Sequence, residues 1–523
     1  MEWFSLVKFS RTLNLKKQLA WSVAIVCILI IGFGVRLQNL NQPIVEIMES
    51  RQTQTAEISR NLIADSFNIF LPRVDRYGPD NIYVVLEFPL FNLITALSAK
   101  LSGFPIEPIG KFYSAVFGIF GAGIWCLLLK RHYPTGAVFV GMIFYLFTFI
   151  GIITGRSFQP DTFALFWYLW VLLELDSCYS KSDFAASRWR LAILVSLACL
   201  TKSHMAILLV VPLIALLWRL NSSKKIELIN AITFLSVCFV PIILWTIYGG
   251  WVHSKFPNEI TSNYRIGNWF KPELFFSTES FNYYSSIWMQ FRYSFLTGRA
   301  EALDWIIGII LLISFVKLFK DEEKRRFFAP ILSSLAIYYF FFNVHTATHF
   351  YYHLPLLPLL AAGIAHLTTN LPRVPFFGIL AALITLSLVN VSTAQIYIRN
   401  NESQNKLIEC ADIVKKVVPQ NGLLLTSYNE QTGLLYYSQR VGWLFYMERE
   451  LYKQHYKLFF DTTSFKIDHI EAMKDFLEEG AEYYANCELH TLQKYSKFNQ
   501  YLLDNFETVY SDPENLFIFK LNK

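Results

Sequence analysis

Charged side chains are scarce in this 523-residue sequence, where Asp, Glu, Lys and Arg together make up 16%. Soluble globular domains carry about 25% charged residues, so the composition argues against a water-soluble enzyme, and it also argues against a disordered chain. Apolar residues reach 54% and aromatic residues 17%. This composition is typical of a protein that faces lipid and places aromatic rings at the membrane–water interface.

Several sequence signals of cofactor and metal chemistry are also missing. The seven cysteines form no Cys-x-x-Cys pair and no group with histidine, so neither a metal site nor a disulfide framework is predicted. The sequence has no phosphate-binding loop and no Gly-x-Gly-x-x-Gly. Basic residues are not concentrated in a soluble segment as a nucleic-acid binder requires. We therefore expect no cofactor, no metal and no nucleic-acid partner.

The charge that is present is unevenly distributed. From Ile396 to the end, 14 Lys and Arg stand against 18 Asp and Glu, a net charge of −4, while the whole chain carries +6. Residues 1–395 therefore carry +10. Because basic loops stay on the cytoplasmic side, Lys8, Arg11, Lys16 and Lys17 predict a cytoplasmic N-terminus, and the acidic tail is expected outside.

Long apolar stretches predict a polytopic α-helical membrane protein. A transmembrane helix needs about 17–25 mostly apolar residues, and twelve stretches approach this length. They are 19–36, 84–103, 112–129, 136–154, 161–177, 188–200, 203–219, 227–248, 301–319, 326–343, 352–369 and 374–395. A cytoplasmic N-terminus and an external tail require an odd number of crossings. We therefore expect 11–13 transmembrane helices, with 188–219 the stretch whose crossing is uncertain.

Two polar loops and a tail complete the predicted organisation. Residues 1–395 form the transmembrane domain, with external loops at 37–83 and 250–300, and 396–523 form an extracytoplasmic α/β domain. In the first loop, the spacing of apolar residues predicts an interfacial helix over Glu49–Asp65. Its apolar residues would rest on the membrane (Ala56, Ile58, Leu62, Ile63) while its polar residues face water (Arg51, Gln52, Glu57, Arg60). Cys410 and Cys487 are both external, so a disulfide between them is permitted but not predicted.

The first loop carries acidic residues suited to catalysis. An acid such as Glu46 or Glu49 can act as general base when an acceptor hydroxyl comes within hydrogen-bond distance, and Arg51 can bind a phosphate through two hydrogen bonds. The alternative is a capped surface helix whose charges are solvated. Glu87, at the start of the second apolar stretch, is either a catalytic or ligand-positioning acid or a stabilising charge in the first turn of a helix.

Two further segments hold polar residues inside the apolar region, where charge is costly and therefore often functional. Arg156 and Asp161 flank a break between two stretches, where they either serve a site, pair with each other, or cap the next helix. The segment His345-x3-His349-x3-His353 invites a metal interpretation, but Pro355 and the neighbouring aromatic residues favour a polar, aromatic mouth over a pocket. The candidates in this segment are His349, Tyr351 and Tyr352.

At these segments the sequence resembles the GT-C membrane glycosyltransferases, in the group of protein O-mannosyltransferases and the lipid A aminoarabinose transferase, and most of all family-39-like bacterial proteins. The resemblance covers about residues 15–370. It rests on Glu46 followed by Arg51-Gln52-Thr53-Gln54-Thr55-Ala56, on Glu87-Phe88-Pro89, on Pro160-Asp161, on Thr201-Lys202, and on Tyr351-Tyr352-His353-Leu354-Pro355. The family more often has Asp at the position of Glu46, and many relatives have His at that of Met48.

The resemblance implies an inverting glycosyltransferase of the cytoplasmic (inner) membrane. It implies a polyprenyl-phosphate sugar as donor, a lipid, glycan or protein acceptor on the external side, and chemistry without a metal. Glu46 would be the catalytic carboxylate, with Glu49 as competitor and Glu87 as a further candidate. The implied donor-phosphate and substrate-binding residues are Arg51, Gln52, Arg156, Asp161, Lys202, His349, Tyr351 and Tyr352.

Three other functions are compatible with a polytopic chain. A ligase or polymerase of lipid-linked glycans differs from a monosaccharide transferase only in product length. A transporter or flippase would line a path with intramembrane charges such as Lys202 and Glu174, although the inverted repeats common in transporters are missing from the sequence. A non-enzymatic membrane scaffold would not depend on Glu46.

Overall fold

A computed structural model describes residues 2–181, 184–222, 226–258, 269–276, 280–399, 402–427, 432–447, 468–487, 489–512 and 516–521. Within these ranges the chain is mostly helical. The helices are α1 (Glu2–Leu37), α2 (Glu49–Ala64), α3 (Leu90–Ser102), α4 (Ile106–His132), α5 (Thr135–Phe147), α6 (Phe149–Thr154), α7 (Asp161–Lys181), α8 (Phe184–Thr201), α9 (Met205–Ser222), α10 (Leu228–Lys255), α11 (Ser280–Phe295), α12 (Glu301–Lys320), α13 (Glu322–Phe341), α14 (Asn343–Thr348), α15 (Leu357–Thr368), α16 (Arg373–Ile398), α17 (Glu402–Val417), α18 (Gly433–Ser438), α19 (His469–Glu478), α20 (Leu489–Lys494) and α21 (Ser496–Asn505).

Five short strands and two 3-10 segments accompany these helices. The strands are β1 (Leu424–Ser427), β2 (Gly442–Leu444), β3 (Tyr483–Asn486), β4 (Glu507–Asp512) and β5 (Leu516–Lys520), and the 3-10 segments are Pro272–Phe275 and Phe350–Leu356. The predicted polytopic helical architecture with a C-terminal α/β region is confirmed. Residues 259–268 and 277–279 of the predicted second external loop lie outside the described residues.

Seven helical segments of the described chain are long and apolar enough to cross a membrane: Gln18–Leu37, Ile106–His132, Met205–Ser222, Leu228–Lys255, Glu301–Lys320, Phe350–Thr368 and Arg373–Ile398. The chain is therefore a multi-pass membrane protein. Other predicted stretches differ for visible reasons: 84–103 yields only the 13 residues of α3, and 136–154 divides into α5 and α6. The number of crossings, 11–13, stays a prediction.

The chain divides into two compact units. The helical unit consists of residues 1–40, 111–245 and 274–396. At its centre lie α5 and α15, which pack against each other, while α15 also packs on α12 and α5 on α1. Gly141 allows the close approach of α5 and α15, since a Cβ there would lie 2.6 Å from the carbonyl oxygen of Ala361 and 3.2 Å from the Cβ of Ala365.

A buried arginine stabilises the break between α5 and α6. Arg36, at the end of α1, donates from Nη2 to the carbonyl oxygens of Leu146 (2.9 Å) and Gly151 (2.7 Å). Thr148 caps α6 by accepting from the Gly151 amide. Carbonyl groups at a helix end lack intrahelical donors, and the guanidinium supplies them. Arg36 is 2% exposed, so its guanidinium is withdrawn from water at the end of the first span.

The second unit consists of residues 41–110, 246–273 and 397–523, and it is built on a five-stranded sheet. The strand order is β2-β1-β3-β5-β4, with β1 parallel to β2 and β3, and β5 antiparallel to β3 and β4. One core contains residues of α17 and α18, and the other contains residues of α19, α20 and α21. A disulfide joins Cys410 of α17 to Cys487, just after β3, across 77 residues of sequence.

The first loop belongs to this second unit, whereas the sequence indicated a loop of the transmembrane domain. The Gly442 amide donates to the Asp75 carbonyl oxygen (2.9 Å), and the Gly78 amide donates to the Gly442 carbonyl oxygen (2.9 Å), so the loop covers the β2 edge. Gly78 has φ +71, and the Trp443 ring occupies the space of a Cβ. Val45 is part of the α17–α18 core. The boundary near residue 396 is common to both descriptions.

The helix predicted over Glu49–Asp65 exists as α2, but its predicted surface position is wrong. Gln52 and Glu57, expected to face water, are fully buried, and Ala56, Ile58 and Leu62 are buried as well. Polar residues dominate the buried set of this helix. Protein covers the helix instead of lipid, since Ile58 and Leu62 lie in a core with Val74, Val84 and Ala96, and the buried polar side chains need hydrogen-bonding neighbours.

We expect Gly141→Ala to destabilise the helical unit by about 1–3 kcal/mol, because inserting a methyl group into a packed interior forces the backbone apart. The measurement is thermal unfolding of the full-length protein in detergent. Gly123→Ala on α4 is the matched control, since a Cβ there has no neighbour within 4 Å. An unfolding temperature as high for Gly141→Ala as for the control would contradict the close packing of α5 on α15.

Candidate functional site

A tight turn places Glu46 directly before α2. Met48 occupies the N-cap position with φ 65 and ψ 32, the left-handed region that is unfavourable for residues other than glycine. Gln52, in the first turns of α2, donates from Nε2 to the Ile47 carbonyl oxygen at 3.0 Å. Glu46 is 6% exposed. The predicted substrate residue Gln52 thus holds the backbone of the segment that carries Glu46.

Glu49 points toward the N-terminus of α18 in the tail. Burial raises the pKa of its carboxyl to about 8, and a hydrogen bond from the Gly433 backbone acts in the opposite direction. A side chain at position 433 would collide with Glu49 and with Leu407. The hydroxyls of Thr53 and Thr432 are also in hydrogen-bond contact. Glu49 therefore joins α2 to the tail, in addition to its candidate role in catalysis.

Glu87 and Arg51 form an ion pair within the second unit. Both side chains retain some exposure, 24% for Glu87 and 20% for Arg51. The other Arg51 terminal nitrogen, Nη1, donates to Gln54 Oε1 at 3.2 Å. Because α3 begins only at Leu90 and has no acid in its first turn, the helix-stabilising interpretation of Glu87 is wrong. The structure instead gives Glu87 the geometry of a residue that orients Arg51.

A buried ionic cluster lies further along α2. Arg60 pairs with Asp75 and donates to the Tyr436 carbonyl oxygen at 2.9 Å, and Asn61 donates to Asp75 Oδ1 at 3.0 Å. Glu57 is fully buried beside them. Burial and the negative charge of Asp75 raise the pKa of the Glu57 carboxyl to about 8, although Arg76 and Arg60 oppose this rise.

The helical unit contains a buried ion pair of two predicted residues. Lys202 Nζ donates to Asp161 Oδ1 at 2.8 Å, and both side chains are 5% exposed. Asp161 is the first residue of α7, and Lys202 follows the end of α8. Asp161 therefore pairs with Lys202 and not with Arg156. Arg156 is buried and donates from Nη2 to the Asn39 carbonyl oxygen at 3.3 Å.

Aromatic and histidine rings surround this pair, and we call the group of Asp161, Lys202, His204, His345, Tyr351 and Tyr352 the Lys202 cluster. Lys202 Nζ lies 5.7 Å from the ring centroids of Tyr351 and Tyr352. The Tyr352 ring lies 4.8 Å from that of His345 and 5.8 Å from that of His204. His349 lies beside these rings, 5.5 Å from that of Tyr351.

The three histidines, spaced four residues apart, do not lie along one helical face. His353 Nδ1 contacts the Tyr339 hydroxyl at 2.6 Å, and its Nε2 contacts the Thr346 carbonyl oxygen at 2.9 Å. The segment is a short helix, α14, followed by a 3-10 turn, so the three positions do not follow one helical face. Among the residues that the structure describes, no group of three or more His, Cys, Asp or Glu could hold a metal ion.

The structure therefore forms two sets of predicted residues, one in each unit. Glu46, Glu49, Arg51, Gln52 and Glu87 lie in the second unit, and Asp161, Lys202, His349, Tyr351 and Tyr352 lie in the helical unit with Arg156. Sequence reasoning missed Arg60, Asp75 and His204. Glu57, Arg60 and Asn61 share one side of α2 by their three- and four-residue spacing, which was the available signal, whereas nothing in the sequence pointed to Asp75.

We expect protein stability to fall as the pH rises from about 4.5 to about 8, and to fall less in Glu57→Gln. The folded-state pKa of Glu57, about 8, exceeds its ordinary value of 4.5, so the folded protein holds this proton more tightly than the unfolded chain does. The stability it contributes is complete below about pH 4.5 and is lost through about pH 8. Unfolding temperatures across this range measure the effect, with the exposed Glu471→Gln as control. Parallel curves for wild type and Glu57→Gln would contradict the buried, protonated carboxyl.

Comparison with known proteins identifies the fold of this chain. The family profile described as dolichyl-phosphate-mannose-protein mannosyltransferase matches residues 87–245. No curated protein sequence matches the chain. The structure is similar to that of ArnT from Cupriavidus metallidurans in the apo state, with a TM-score of 0.61, 12% identity, and coverage of 96% of this chain and 98% of that one.

Two further solved structures support the same fold. ArnT from the same organism bound to undecaprenyl phosphate gives a TM-score of 0.60 at 13% identity, covering 96% of this chain and 98% of that one. The oligosaccharyltransferase of Archaeoglobus fulgidus in complex with Zn and sulfate gives 0.55 at 12% identity, covering 91% and 69%. The predicted fold is confirmed: this chain has the fold of the GT-C membrane glycosyltransferases.

Proposed function

We propose that the protein is an inverting glycosyltransferase that moves a sugar from a polyprenyl-phosphate donor to an acceptor on the external side of the cytoplasmic membrane. The observation that carries this proposal is the buried Glu46 carboxylate beside α2 together with the Arg51–Glu87 ion pair, on a chain with the GT-C fold. A carboxylate suits removal of a proton from an acceptor hydroxyl, and an arginine suits a departing phosphate.

The donor class is supported by the comparisons. One ArnT structure contains undecaprenyl phosphate, and an archaeal oligosaccharyltransferase structure with a TM-score of 0.50 contains dolichol phosphate and an inhibitory peptide. A polyprenyl-phosphate sugar is accordingly the proposed donor. A lipid, glycan or protein with a free hydroxyl is the proposed acceptor.

The proposed reaction is a single displacement. The acceptor oxygen attacks the anomeric carbon while its proton passes to Glu46, the bond from that carbon to the phosphate oxygen breaks, and polyprenyl phosphate leaves with the bonding electrons. Arg51, oriented by Glu87, stabilises the negative charge that develops on the leaving phosphate. Glu49 is the competing base, and its position against Gly433 favours Glu46.

The proposed location is the cytoplasmic membrane, with the N-terminus inside and the C-terminal domain outside. The basic N-terminal residues support this orientation. The disulfide between Cys410 and Cys487 supports it independently, because disulfides persist mainly in oxidising compartments outside the cytoplasm.

Glu46→Gln should lower kcat by about 10²–10⁴-fold, the usual contribution of a general base, with little change in donor affinity. The measurement is release of polyprenyl phosphate by the full-length protein in nanodiscs from a panel of polyprenyl-phosphate sugars, with membrane extract as the acceptor source. Glu49→Gln and Glu87→Gln are compared with it, and the exposed Glu471→Gln serves as control.

Each outcome of this comparison has a distinct meaning. Loss confined to Glu49→Gln would keep the transferase and move the base to Glu49, with an acid limb of the pH profile near its pKa of about 8. Donor binding without release, together with movement of the lipid between leaflets, would replace the transferase by a flippase. A product with many sugar units would identify a polymerase or ligase.

Arg51→Met should weaken donor binding by about 10- to 100-fold, the loss expected when a hydrogen bond to a charged group is removed. Glu87→Gln should have a smaller effect of the same kind, because it leaves the guanidinium present but less constrained. Titration with undecaprenyl phosphate measures both. If Arg51→Met bound the lipid as wild type does, Arg51 would have no contact with the phosphate.

A further inference from the structure

The Lys202 cluster contains buried polar atoms that the protein itself does not satisfy. Asp161 Oδ1 accepts from Lys202, but Asp161 Oδ2 is buried without a hydrogen-bond partner among the described residues. His345 Nδ1 is likewise buried without a hydrogen-bond partner among the described residues. Buried polar atoms are normally hydrogen-bonded, and one left without a partner costs about 1–3 kcal/mol. Both atoms lie in the Lys202 cluster, where the Tyr352 ring is 4.8 Å from the His345 ring and 5.7 Å from Lys202 Nζ.

From this arrangement we infer that the Asp161–Lys202 pair and His345 bind hydroxyl groups of an uncharged donor sugar, and do not bind the donor phosphate. The inference rests on the proposed function, since it assigns a ligand group to residues proposed for substrate binding. It replaces the phosphate contact that the sequence resemblance implied for Lys202.

Charge is the first argument against phosphate. The ammonium of Lys202 lies 2.8 Å from a carboxylate oxygen, and both groups are withdrawn from water. The pair therefore has no net charge, and a phosphate placed there would meet the second carboxylate oxygen of Asp161. Interactions between charges are strong in a buried environment, so that oxygen repels an anion and accepts an O–H instead.

The surrounding rings are the second argument. Tyr351 and Tyr352 present their rings to Lys202, and the His345 ring lies 4.8 Å from that of Tyr352. Binding sites for small molecules combine apolar and aromatic walls with a few placed polar groups. A sugar ring has both matching parts, since its C–H faces pack on aromatic rings while its hydroxyls reach the carboxylate oxygen and the imidazole nitrogen. A cationic amino sugar would add an unbalanced positive charge to the neutral pair.

The test separates the two parts of the donor. Binding of undecaprenyl phosphate, of undecaprenyl phosphate carrying a neutral hexose, and of undecaprenyl phosphate carrying an amino sugar is measured on the full-length protein in nanodiscs. Asp161→Asn should weaken binding of the neutral-sugar donor by about 10- to 100-fold and should leave binding of bare undecaprenyl phosphate within about twofold. Wild type should bind the neutral-sugar donor more tightly than the amino-sugar donor.

Two further variants distinguish a loss of sugar binding from a loss of folding. Asp176→Asn is the matched control, because Asp176 is a buried carboxylate on the same helix, paired with Arg131 and His132 at 2.8 Å. The double variant Asp161→Asn with Lys202→Gln leaves no unpaired buried charge and should reproduce the selective loss.

Equal weakening for the sugar-loaded and bare lipids would show a phosphate contact and overturn the inference. Unchanged binding of both in the double variant would show a purely structural pair and overturn it too, as would tighter binding of the amino-sugar donor. Failure of wild type to bind any of the three lipids would instead count against the proposed function itself.

Discussion

The second unit depends on one constraint, which is that the polar side chains of α2 are removed from water and must find partners elsewhere in the chain. Ten residues of α2 are buried, and seven of these are polar. Its few apolar residues contribute to a small core, in which Ile58 and Leu62 lie with Val74, Val84 and Ala96. Its polar majority is held by hydrogen bonds and ion pairs with the tail and with the segment that covers β2, among them Arg60 with Asp75 and Thr53 with Thr432. These contacts also position the candidate catalytic carboxylates.

The helical unit also buries charged side chains, and these too need hydrogen-bond partners within the protein. Arg36 supplies donors to the carbonyl oxygens where α5 gives way to α6, and Lys202 supplies one to Asp161. The two cations differ in their surroundings. Arg36 donates to backbone oxygens where α5 ends, whereas Lys202 has a carboxylate partner and aromatic neighbours.

The sequence predicts where the helices of this protein lie better than it predicts which of their side chains are buried. Apolar runs and helical spacing located α2, α7 and the break before Met205, because these depend on local pattern. The order of short motifs led to the GT-C fold. The sequence could not predict that Glu49 lies beside Gly433, because these residues belong to segments far apart in the chain. The Arg60–Asp75 pair joins residues only 15 apart, but no periodic pattern marks Asp75. The predicted interfacial position was wrong because the apolar side of α2 indicated lipid, whereas Ile58 and Leu62 pack with Val74, Val84 and Ala96 of the same unit.

The covering of β2 by the first loop has a consequence for biogenesis. Thr53 is synthesised 379 residues before its partner Thr432, a delay of about 20 to 75 s at 5–20 residues per second. During that interval α2 has none of its partners from the tail, and its polar groups must stay hydrated. The contact between these two residues can form only after the segment that carries Thr432 has been synthesised. Folding of the candidate site is thereby linked to completion of the chain, so a truncated nascent protein would reach the membrane without an assembled site.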